Sequence, residues 1–334
     1  MQYSVILPTF GRPDEVTNFL ESMVGQKFTD FEVIVVDGSL DDVLHPVIDA
    51  FRNKLSLNYF HERGLGASES RNLGCEKARG HFLVFIDSDC VVPDNYFIQV
   101  DNFLKANPEI DAFGGPDAAE KNFKPFQKAV NYAMTSMLTT GGIRGKKKHA
   151  GKFQLRGFNM GVMREAFFHV GGYSGMQVAE DIDLSMRLLK AGYQTALIPE
   201  AFVYHRRKAN FKVFGKQLYF HGKGRIDLHL KHGDALKLVH MLPSFFVAGL
   251  LIGLLVGIFV TEILFLVIGV IGLYALAVLI DSTIQNRSLI VGILSIVSSL
   301  ELLITYGSGV WRNIFVRMIL KRGGDSKKSA ELKK

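Results

Sequence analysis

Cysteine and tryptophan are scarce in this 334-residue chain, which contains two of the first and one of the second. Cys75 and Cys90 lack the spacing of a metal-binding motif, and so few thiols in so long a chain indicate a reducing compartment. We expect both to be buried packing residues. We also expect no secretory signal peptide, because the first residues lead into an apolar run without a basic segment. We therefore expect the N-terminal domain to stay in the cytoplasm.

The basic excess of the chain is unevenly distributed. Residues 1–140 carry 12 Lys and Arg against 20 Asp and Glu, whereas residues 141–240 carry 18 against 7. A nucleic-acid-binding protein would concentrate basic residues in its folded recognition domain, so we expect no nucleic-acid partner. A basic segment that follows an acidic domain fits contact with an anionic membrane surface.

Long apolar segments occur only near the C-terminus, at about 244–260, 263–280 and 288–310. Their apolar residues surround the whole helix, which favours membrane insertion over a buried hairpin in a soluble protein. The third segment contains Glu301 and a Gly-Ser-Gly sequence. Three crossings from a cytoplasmic start would put the basic tail, residues 321–334, outside, against the positive-inside rule. Whether the third segment crosses fully or lies in the interface is therefore open.

Short runs rich in Val, Ile and Phe predict strands at 3–8, 30–39 and 81–89. Between them we expect helices, one from Pro13 to about Gly25 and one that starts after Ser68 and ends at Gly80. This alternation predicts an α/β fold with a mostly parallel, Rossmann-like sheet. Ligands of such sheets bind at the carboxyl ends of the strands.

Two aspartates, Asp87 and Asp89, stand at the end of the third predicted strand. Residues i and i+2 of an extended chain point the same way, so both carboxylates can face one ligand while Ser88 faces elsewhere. Paired carboxylates repel each other unless a cation lies beside them, and Mg²⁺ or Mn²⁺ suits oxygen ligands. Two solvated aspartates at a turn are the open alternative.

The order of several motifs carries more weight than any one of them. They are VILPTFGRP at 5–13, VIVVDGS at 33–39, GASESRNLG at 66–74, FIDSD at 85–89, GFNMGVMREAF at 157–167 and EDIDLSMRLLKAGY at 180–193. The chain resembles the family 2 glycosyltransferases with a GT-A fold over about residues 1–230. It is similar to the membrane-attached members that build bacterial exopolysaccharides and cell envelopes.

The resemblance implies roles for individual residues at the donor and metal sites. It places Asp181 as the catalytic base, and Asp89 and His205 as ligands of a divalent metal, Mn²⁺ or Mg²⁺. It places seven residues at the nucleotide and the donor: Pro8, Thr9, Arg12, Asp37, Arg71, Asn72 and Asp87. The apolar spacing after Asp181 predicts a helix whose N-terminal dipole favours an ionised base. Ordinary helix N-terminal charge remains the alternative for Asp181, and a basic surface the alternative for His205.

The acceptor side is expected to be formed by five residues: Gly157, Asn159, Glu180, Gln217 and Arg225. The last two lie in a basic amphipathic segment, residues 205–242, whose composition suits an interfacial helix. QLYFHGKGR at 217–225 resembles the interfacial segment of membrane-attached family members. It departs from the Q-x-x-R-W signature of processive synthases, because the only tryptophan is Trp311.

The expected organisation is a GT-A catalytic domain at 1–204, the interfacial segment at 205–242, a membrane domain at 243–320 and the basic tail. The resemblance implies transfer of a single sugar, with inversion, from a UDP-, GDP- or dTDP-sugar to a hydroxyl of a polyprenyl-diphosphate-linked glycan. It implies a multi-pass protein of the inner membrane with a cytoplasmic catalytic domain. A polyprenyl-phosphate glycosyltransferase, a processive polysaccharide synthase and a nucleotide-sugar-binding protein without catalysis are the alternatives.

Overall fold

The computed structural model describes four stretches of the chain, residues 1–118, 124–140, 153–205 and 210–321. They belong to two compact units. The first unit consists of Met1–Glu120 and Lys146–Arg206, and the second of Lys121–Gly145 and Arg207–Lys334. A segment from the middle of the chain thus belongs to the C-terminal unit. Most of the predicted basic tail and the start of the predicted interfacial segment, residues 322–334 and 206–209, lie outside the described residues.

The strands of the described residues form two sheets in the first unit. They are β1 (Tyr3–Thr9), β2 (Phe31–Asp37), β3 (Leu57–His61), β4 (Phe82–Ile86), β5 (Cys90–Val91), β6 (Ala112–Gly114), β7 (Asp117–Ala118), β8 (Asn159–Met163), β9 (Thr195–Leu197) and β10 (Val203–His205). The larger sheet has the order β3-β2-β1-β4-β8-β6-β9, and the smaller has the order β5-β10-β7. In the larger sheet only β8 runs antiparallel to its neighbours. The predicted mostly parallel sheet is confirmed.

Burial on both faces explains the unbroken apolar strands. Val5 and Leu7 of β1 belong to one buried cluster, and Ile6 between them belongs to a second one on the opposite face. Parallel sheets need such cover on both sides, because their crossover helices lie on both faces. Cys75 and Cys90 are both buried free thiols, as expected.

The described residues form helices in both units. They are α1 (Pro13–Val24), α2 (His45–Phe51), α3 (Ala67–Lys77), α4 (Tyr96–Ala106), α5 (Pro125–Thr135), α6 (Met137–Thr140), α7 (Arg164–His169), α8 (Glu180–Lys190), α9 (Phe211–His232), α10 (Leu238–Gly257), α11 (Thr261–Asn286) and α12 (Leu289–Asn313), the last continued by a π-helical segment, Ile314–Ile319. Helix α1 begins at Pro13, as predicted, because proline suits the first helical position.

The predicted bounds of α3 were wrong at both ends. The helix begins at Ala67, one residue before Ser68, and ends at Lys77, three residues before Gly80. Ser68 does not cap the helix, because its hydroxyl donates a 3.2 Å hydrogen bond to the Met176 carbonyl. Gly80 instead permits close contact with β1, since a Cβ there would lie 2.5 Å from the Ser4 nitrogen.

The second unit contains three helices that are long and apolar enough to cross a membrane: α10, α11 and the continuous stretch Leu289–Ile319. The third is helical through both Glu301 and the Gly-Ser-Gly sequence. Gly307 and Gly309 lie where any side chain would meet the Pro243 and Tyr219 backbones. Small residues at such positions let helix backbones approach closely, so these glycines serve helix packing and do not mark an end of the helix.

Candidate active site

The loop after β1 is held by Asp37, the last residue of β2. Asp37 is fully buried, and its Oδ1 accepts hydrogen bonds of 3.0 Å from the backbone N–H groups of Gly11 and Ser39. The Ser39 hydroxyl donates to Oδ2 at 2.7 Å. Gly11 has a φ of +57°, which favours glycine. Asp37 therefore shapes the loop beside Thr9, and its predicted contact with a nucleotide base stays a prediction.

The three other residues predicted to contact the nucleotide here, Pro8, Thr9 and Arg12, lie at the end of β1 or in the loop after it. Pro8 is half-buried in β1, one residue before Thr9, whose hydroxyl is buried and has no hydrogen-bond partner among the described residues. Arg12 precedes α1, and half of its side chain is exposed. Its guanidinium forms an ion pair of 3.1 Å with Glu15. Arg12 is therefore accessible to a ligand, and a nucleotide contact by Pro8, Thr9 or Arg12 stays a prediction.

The D-x-D motif forms a turn directly after β4. The Cys90 N–H donates to the Asp87 carbonyl at 3.0 Å, which closes the turn. Ser88 is buried and donates a hydrogen bond to Glu15 of α1, so it faces away from both carboxylates, as expected. Asp87 and Asp89 are partly exposed on either side of it. Sequence reasoning missed Glu15, although its position three residues after Arg12 was a readable sign of an ion pair.

Arg71 of α3 joins the D-x-D motif to α8. Its Nη2 donates to Asp87 Oδ1 at 2.9 Å, and its Nη1 donates to Glu180 Oε1 at 2.8 Å. The guanidinium lies 5.2 Å from the centre of the Tyr173 ring. Only 6% of the Arg71 side chain is exposed. Buried charged groups need such partners, so these two carboxylates stabilise the guanidinium in the interior.

Asn72, the neighbour of Arg71, is bonded to the protein backbone. Its Nδ2 donates to the Tyr173 carbonyl and its Oδ1 accepts from the Tyr173 N–H, both at 2.9 Å. This reciprocal pair fixes the segment before α8 against α3. The predicted nucleotide contact of Asn72 stays a prediction, while its structural contact is clear.

Asp89 and His205 meet because the short strands β5 and β10 pair. Cys90 and His205 are register partners, and His205 Nε2 lies 3.1 Å from Asp89 Oδ1. The His205 ring also stacks on Phe158 at a centroid distance of 5.3 Å. The side chains of Asp89, Cys90 and His205 each place one ligand atom within 4.8 Å of the others. The structure thus brings together the two residues predicted to bind a metal.

The donor chemistry of this cluster fits a hard divalent cation. Burial raises the pKa of Asp87, and the nearby Asp89 carboxylate adds to the increase, while Arg71 opposes it. The buried Nδ1 of His205 has no hydrogen-bond partner in the described part of the chain. Burial raises the pKa of the Cys90 thiol, which therefore stays protonated. The remaining oxygen and nitrogen donors suit Mn²⁺ or Mg²⁺.

Asp181 lies in the first turn of α8, where two backbone groups orient its carboxylate. Gly157 N–H donates to Oδ2 at 2.9 Å, and Ile182 N–H donates to Oδ1 at 2.7 Å. The residue before the helix, Ala179, has a left-handed backbone with φ of 63°. That conformation costs a non-glycine residue roughly 1–2 kcal/mol. Such backbone strain often occurs at functional sites.

The neighbouring carboxylate, Glu180, faces Arg71. Burial raises its pKa, and the adjacent Asp181 adds to the increase, while Arg71 acts in the opposite direction. Its role on the acceptor side stays a prediction.

Other predicted acceptor residues occupy different environments. Gly157 leaves room beside Asp181, since a Cβ there would lie 3.2 Å from the Asp181 Cβ. Asn159 is fully buried, accepts from the Tyr96 hydroxyl at 2.6 Å and donates to the Ala201 carbonyl at 2.8 Å. Both hydrogen bonds of this side chain are thus made within the protein, and its acceptor-side role stays a prediction. Gln217 and Arg225 are half-buried on α9 of the second unit.

Residues 4–171 match the model of glycosyl transferase family 2. The chain belongs to this family. The match spans the residues predicted for the donor side, the D-x-D motif and β8, so the family predicted from the motifs is confirmed. The family is one of glycosyltransferase enzymes, and residues 4–171 form its domain in this chain.

Curated relatives agree with the family, although the matches cover only part of their length. An uncharacterized glycosyltransferase of Haemophilus influenzae is 30% identical over 190 residues, 56% of this chain and 62% of that protein. The succinoglycan biosynthesis protein ExoA of Rhizobium meliloti is 29% identical over 168 residues, 50% of either chain. The chain thus spans less than two thirds of these relatives.

A solved structure shows the same fold. The mannosyltransferase PcManGT from Pyrobaculum calidifontis superposes with a TM-score of 0.61 over 95% of this chain and 88% of its own, at 14% sequence identity. The predicted GT-A domain followed by helices is therefore confirmed.

Proposed function

We propose that the protein is a membrane-anchored, metal-dependent, inverting glycosyltransferase. It moves a single sugar from a nucleotide-sugar donor to a hydroxyl of a polyprenyl-diphosphate-linked glycan. The observation that carries the proposal is the bridge made by Arg71. Because Arg71 binds both Asp87 and Glu180, the D-x-D turn and the start of α8, which bears Asp181, lie on either side of one buried cation.

Asp181 is the proposed general base. An acceptor hydroxyl becomes a good nucleophile only when a positioned group takes its proton, and inversion requires that group opposite the leaving group. Each Asp181 oxygen accepts one backbone N–H. A carboxylate oxygen has further lone pairs, so Asp181 retains the capacity to accept the proton in a fixed orientation.

Asp89 and His205 are the proposed holders of a divalent ion, with Asp87 beside them. A bound ion supplies charge neutralisation for the departing nucleoside diphosphate. The structure of PcManGT, solved in complex with GDP-Man and Mn²⁺, supports both a nucleotide-sugar donor and a metal for this fold. Arg71 contributes a second, permanent positive charge near the same leaving group.

The second unit is the proposed membrane anchor. Large apolar side chains are exposed along α10, α11 and α12, among them Leu255, Phe265 and Ile290. Exposed apolar surface of this extent needs a partner, and a bilayer is the one that suits helices of this length. We place the protein in the inner membrane with its catalytic unit in the cytoplasm, and α9 with its basic side chains at the headgroups.

The decisive experiment measures release of nucleoside diphosphate by the detergent-purified protein. Donors are UDP-, GDP- and dTDP-sugars with Mn²⁺ or Mg²⁺, with and without a polyprenyl-diphosphate-linked glycan. We expect turnover with one donor that requires both metal and acceptor. Asp89→Ala and Asp181→Asn should abolish it, while Asp49→Asn, a matched change of an exposed carboxylate, should leave it unchanged.

Three results would redirect the proposal. Full activity of Asp181→Asn would indicate a polyprenyl-phosphate acceptor, whose oxygen is already ionised. Products longer than one added sugar would indicate a processive synthase. Donor binding without turnover for any acceptor would indicate a nucleotide-sugar-binding protein.

Membrane topology is testable with introduced cysteines. Both native cysteines are buried, so Asp49→Cys adds an exposed thiol to a chain with little background labelling. We expect a membrane-impermeant maleimide to label it in inverted vesicles but not in intact cells. Ser329→Cys places a thiol in the C-terminal tail and shows on which side of the membrane the tail lies. Labelling of the tail on the same side as Asp49→Cys would exclude three full crossings.

A further inference from the structure

Arg71 is a buried cation held by few contacts. Its two charged partners come from distant parts of the chain, Asp87 after β4 and Glu180 at the start of α8. Its Nε is buried and has no hydrogen-bond partner among the described residues. The guanidinium is therefore oriented mainly by these two carboxylates and by the Tyr173 ring. Losing either carboxylate would leave a planar group with one charged partner and freedom to rotate.

Glu180 is better placed to hold Arg71 than to bind an acceptor. Its Oε1 is engaged by Arg71 at 2.8 Å, and only 16% of its side chain is exposed. Asp87, in contrast, has 35% of its side chain exposed and uses only Oδ1 for Arg71. The bridge thus leaves one oxygen of Asp87 for a ligand while it fixes the orientation of the carboxylate.

We propose that Glu180 is a positioning residue for donor binding. Its carboxylate binds Arg71 and orients the guanidinium, which in turn binds Asp87 and fixes the first carboxylate of the D-x-D motif. This inference rests on the proposed function, because it assigns Glu180 to the donor side of the same reaction. It replaces the acceptor-side role expected for Glu180 from the sequence. Asp181, the next residue, keeps its role as the base.

The test compares Glu180→Gln, which keeps the shape and removes the charge, with Glu180→Asp, which keeps the charge. Glu165→Gln, on the exposed surface of α7, is the control. Calorimetry on the full purified chain measures the Kd of UDP, GDP and dTDP in the presence of Mn²⁺. Steady-state kinetics then measures the donor KM and the acceptor KM separately.

We expect Glu180→Gln to raise the Kd of the bound nucleotide and the donor KM about tenfold, the effect of one charge-assisted contact. The acceptor KM should stay unchanged, and Glu180→Asp should recover part of the donor affinity. A higher acceptor KM with an unchanged nucleotide Kd would overturn the inference and restore the acceptor-side role. A lower melting temperature with unchanged binding constants would also overturn it, because that is the effect of a purely structural contact.

A double-mutant cycle tests the bridge itself. Asp87 and Glu180 share Arg71, so the melting-temperature shifts of Asp87→Asn and Glu180→Gln should not add in the double variant. Additive shifts would contradict the bridge. A wild-type protein that binds none of the three nucleotides would defeat the proposed function itself. Failure of the inference alone is distinguishable, because the wild type would then bind nucleotide and Glu180→Gln would bind it equally well.

Discussion

Ser88, the middle residue of the D-x-D motif, donates a hydrogen bond of 2.9 Å to Glu15 of α1. Glu15 in turn forms an ion pair of 3.1 Å with Arg12 in the loop after β1. The two loops proposed to bind the donor are therefore connected through one glutamate that belongs to neither. Because the bond keeps Ser88 pointed into the protein, it orients the carboxylates on either side of it.

Removing this bond should weaken donor binding. We expect Ser88→Ala to raise the donor KM between about threefold and tenfold, since a typical intramolecular hydrogen bond contributes about 0.5–1.5 kcal/mol and about 1.4 kcal/mol corresponds to a factor of ten. Ser56→Ala, an exposed serine on the same unit, is the control. Kinetics at saturating metal would measure the effect, and an unchanged donor KM in Ser88→Ala would show that the turn keeps its shape without Glu15.

Glu32 should make the stability of the first unit depend on pH. Its buried carboxylate accepts from Ser4 at 2.7 Å and pairs with Arg79 at 2.7 Å. Burial opposes ionisation, but these bonds outweigh it and lower the pKa of Glu32 from its ordinary value of 4.5. The contribution to stability is thus complete above pH 4.5 and is lost as the pH falls below it.

The measurement is the melting temperature of wild type and Glu32→Gln at several pH values. The difference in melting temperature between wild type and Glu32→Gln should be largest near neutral pH and should decrease in acid. Glu165→Gln should melt like wild type throughout. A constant gap at every pH would mean that the charge of Glu32 does not contribute to stability.

Ala179 should tolerate glycine better than a β-branched residue. The left-handed backbone of Ala179 costs about 1 kcal/mol in the folded state, and glycine would remove this cost. Glycine would also increase the conformational entropy of the unfolded chain, which lowers stability by a similar amount. We expect Ala179→Gly to be near neutral and Ala179→Val to lower the free energy of unfolding by about 2 kcal/mol. Denaturant unfolding measures the stability of each variant, and kcat shows whether Asp181 keeps its position at the start of α8. Equal stability of the two variants would show that this backbone is relaxed.

Glycines of the second unit should differ sharply in their tolerance of alanine. A Cβ at Gly222 of α9 would meet the Tyr306 carbonyl and lie 3.0 Å from the Val310 nitrogen, whereas a Cβ at Gly249 of α10 meets nothing within 4 Å. We expect Gly222→Ala to lower the melting temperature in detergent. Gly249→Ala should raise it slightly, because alanine favours helix by up to about 1 kcal/mol. The reverse order would refute close contact of α9 with α12.

The sequence predicted the strand that leads to the D-x-D motif and the start of α1 because the signals for both are local. The apolar strand that ends at Asp87 is visible in five consecutive residues, and it lies where expected, at the carboxyl end of β4. The start of α1 is likewise encoded by Pro13 itself. Patterns of this kind need no knowledge of distant contacts.

Most of the contacts that the sequence did not predict join distant segments. Arg71 and Glu180 are 109 positions apart, and no pattern around either residue indicates the other. Asn159 and Tyr96 are 63 positions apart, so nothing near Asn159 showed that its amide is used inside the core. Asp89 and His205 were placed together by resemblance, whereas the pairing of two short strands, β5 and β10, is what joins them.

The continuous helix Leu289–Ile319 is longer than a bilayer is thick. At 1.5 Å per residue its 31 residues extend about 46 Å, against a hydrocarbon core of about 30 Å. Tilting alone would require about 50°, beyond the range of membrane helices. If this helix crosses a bilayer, about ten residues therefore project into the headgroups or the water. The charged side chains of Arg312 and Arg317 indicate that the C-terminal end is the one that projects. Because Arg317 forms a 3.2 Å ion pair with Asp227 of α9, this part of α9 would lie in the same polar region.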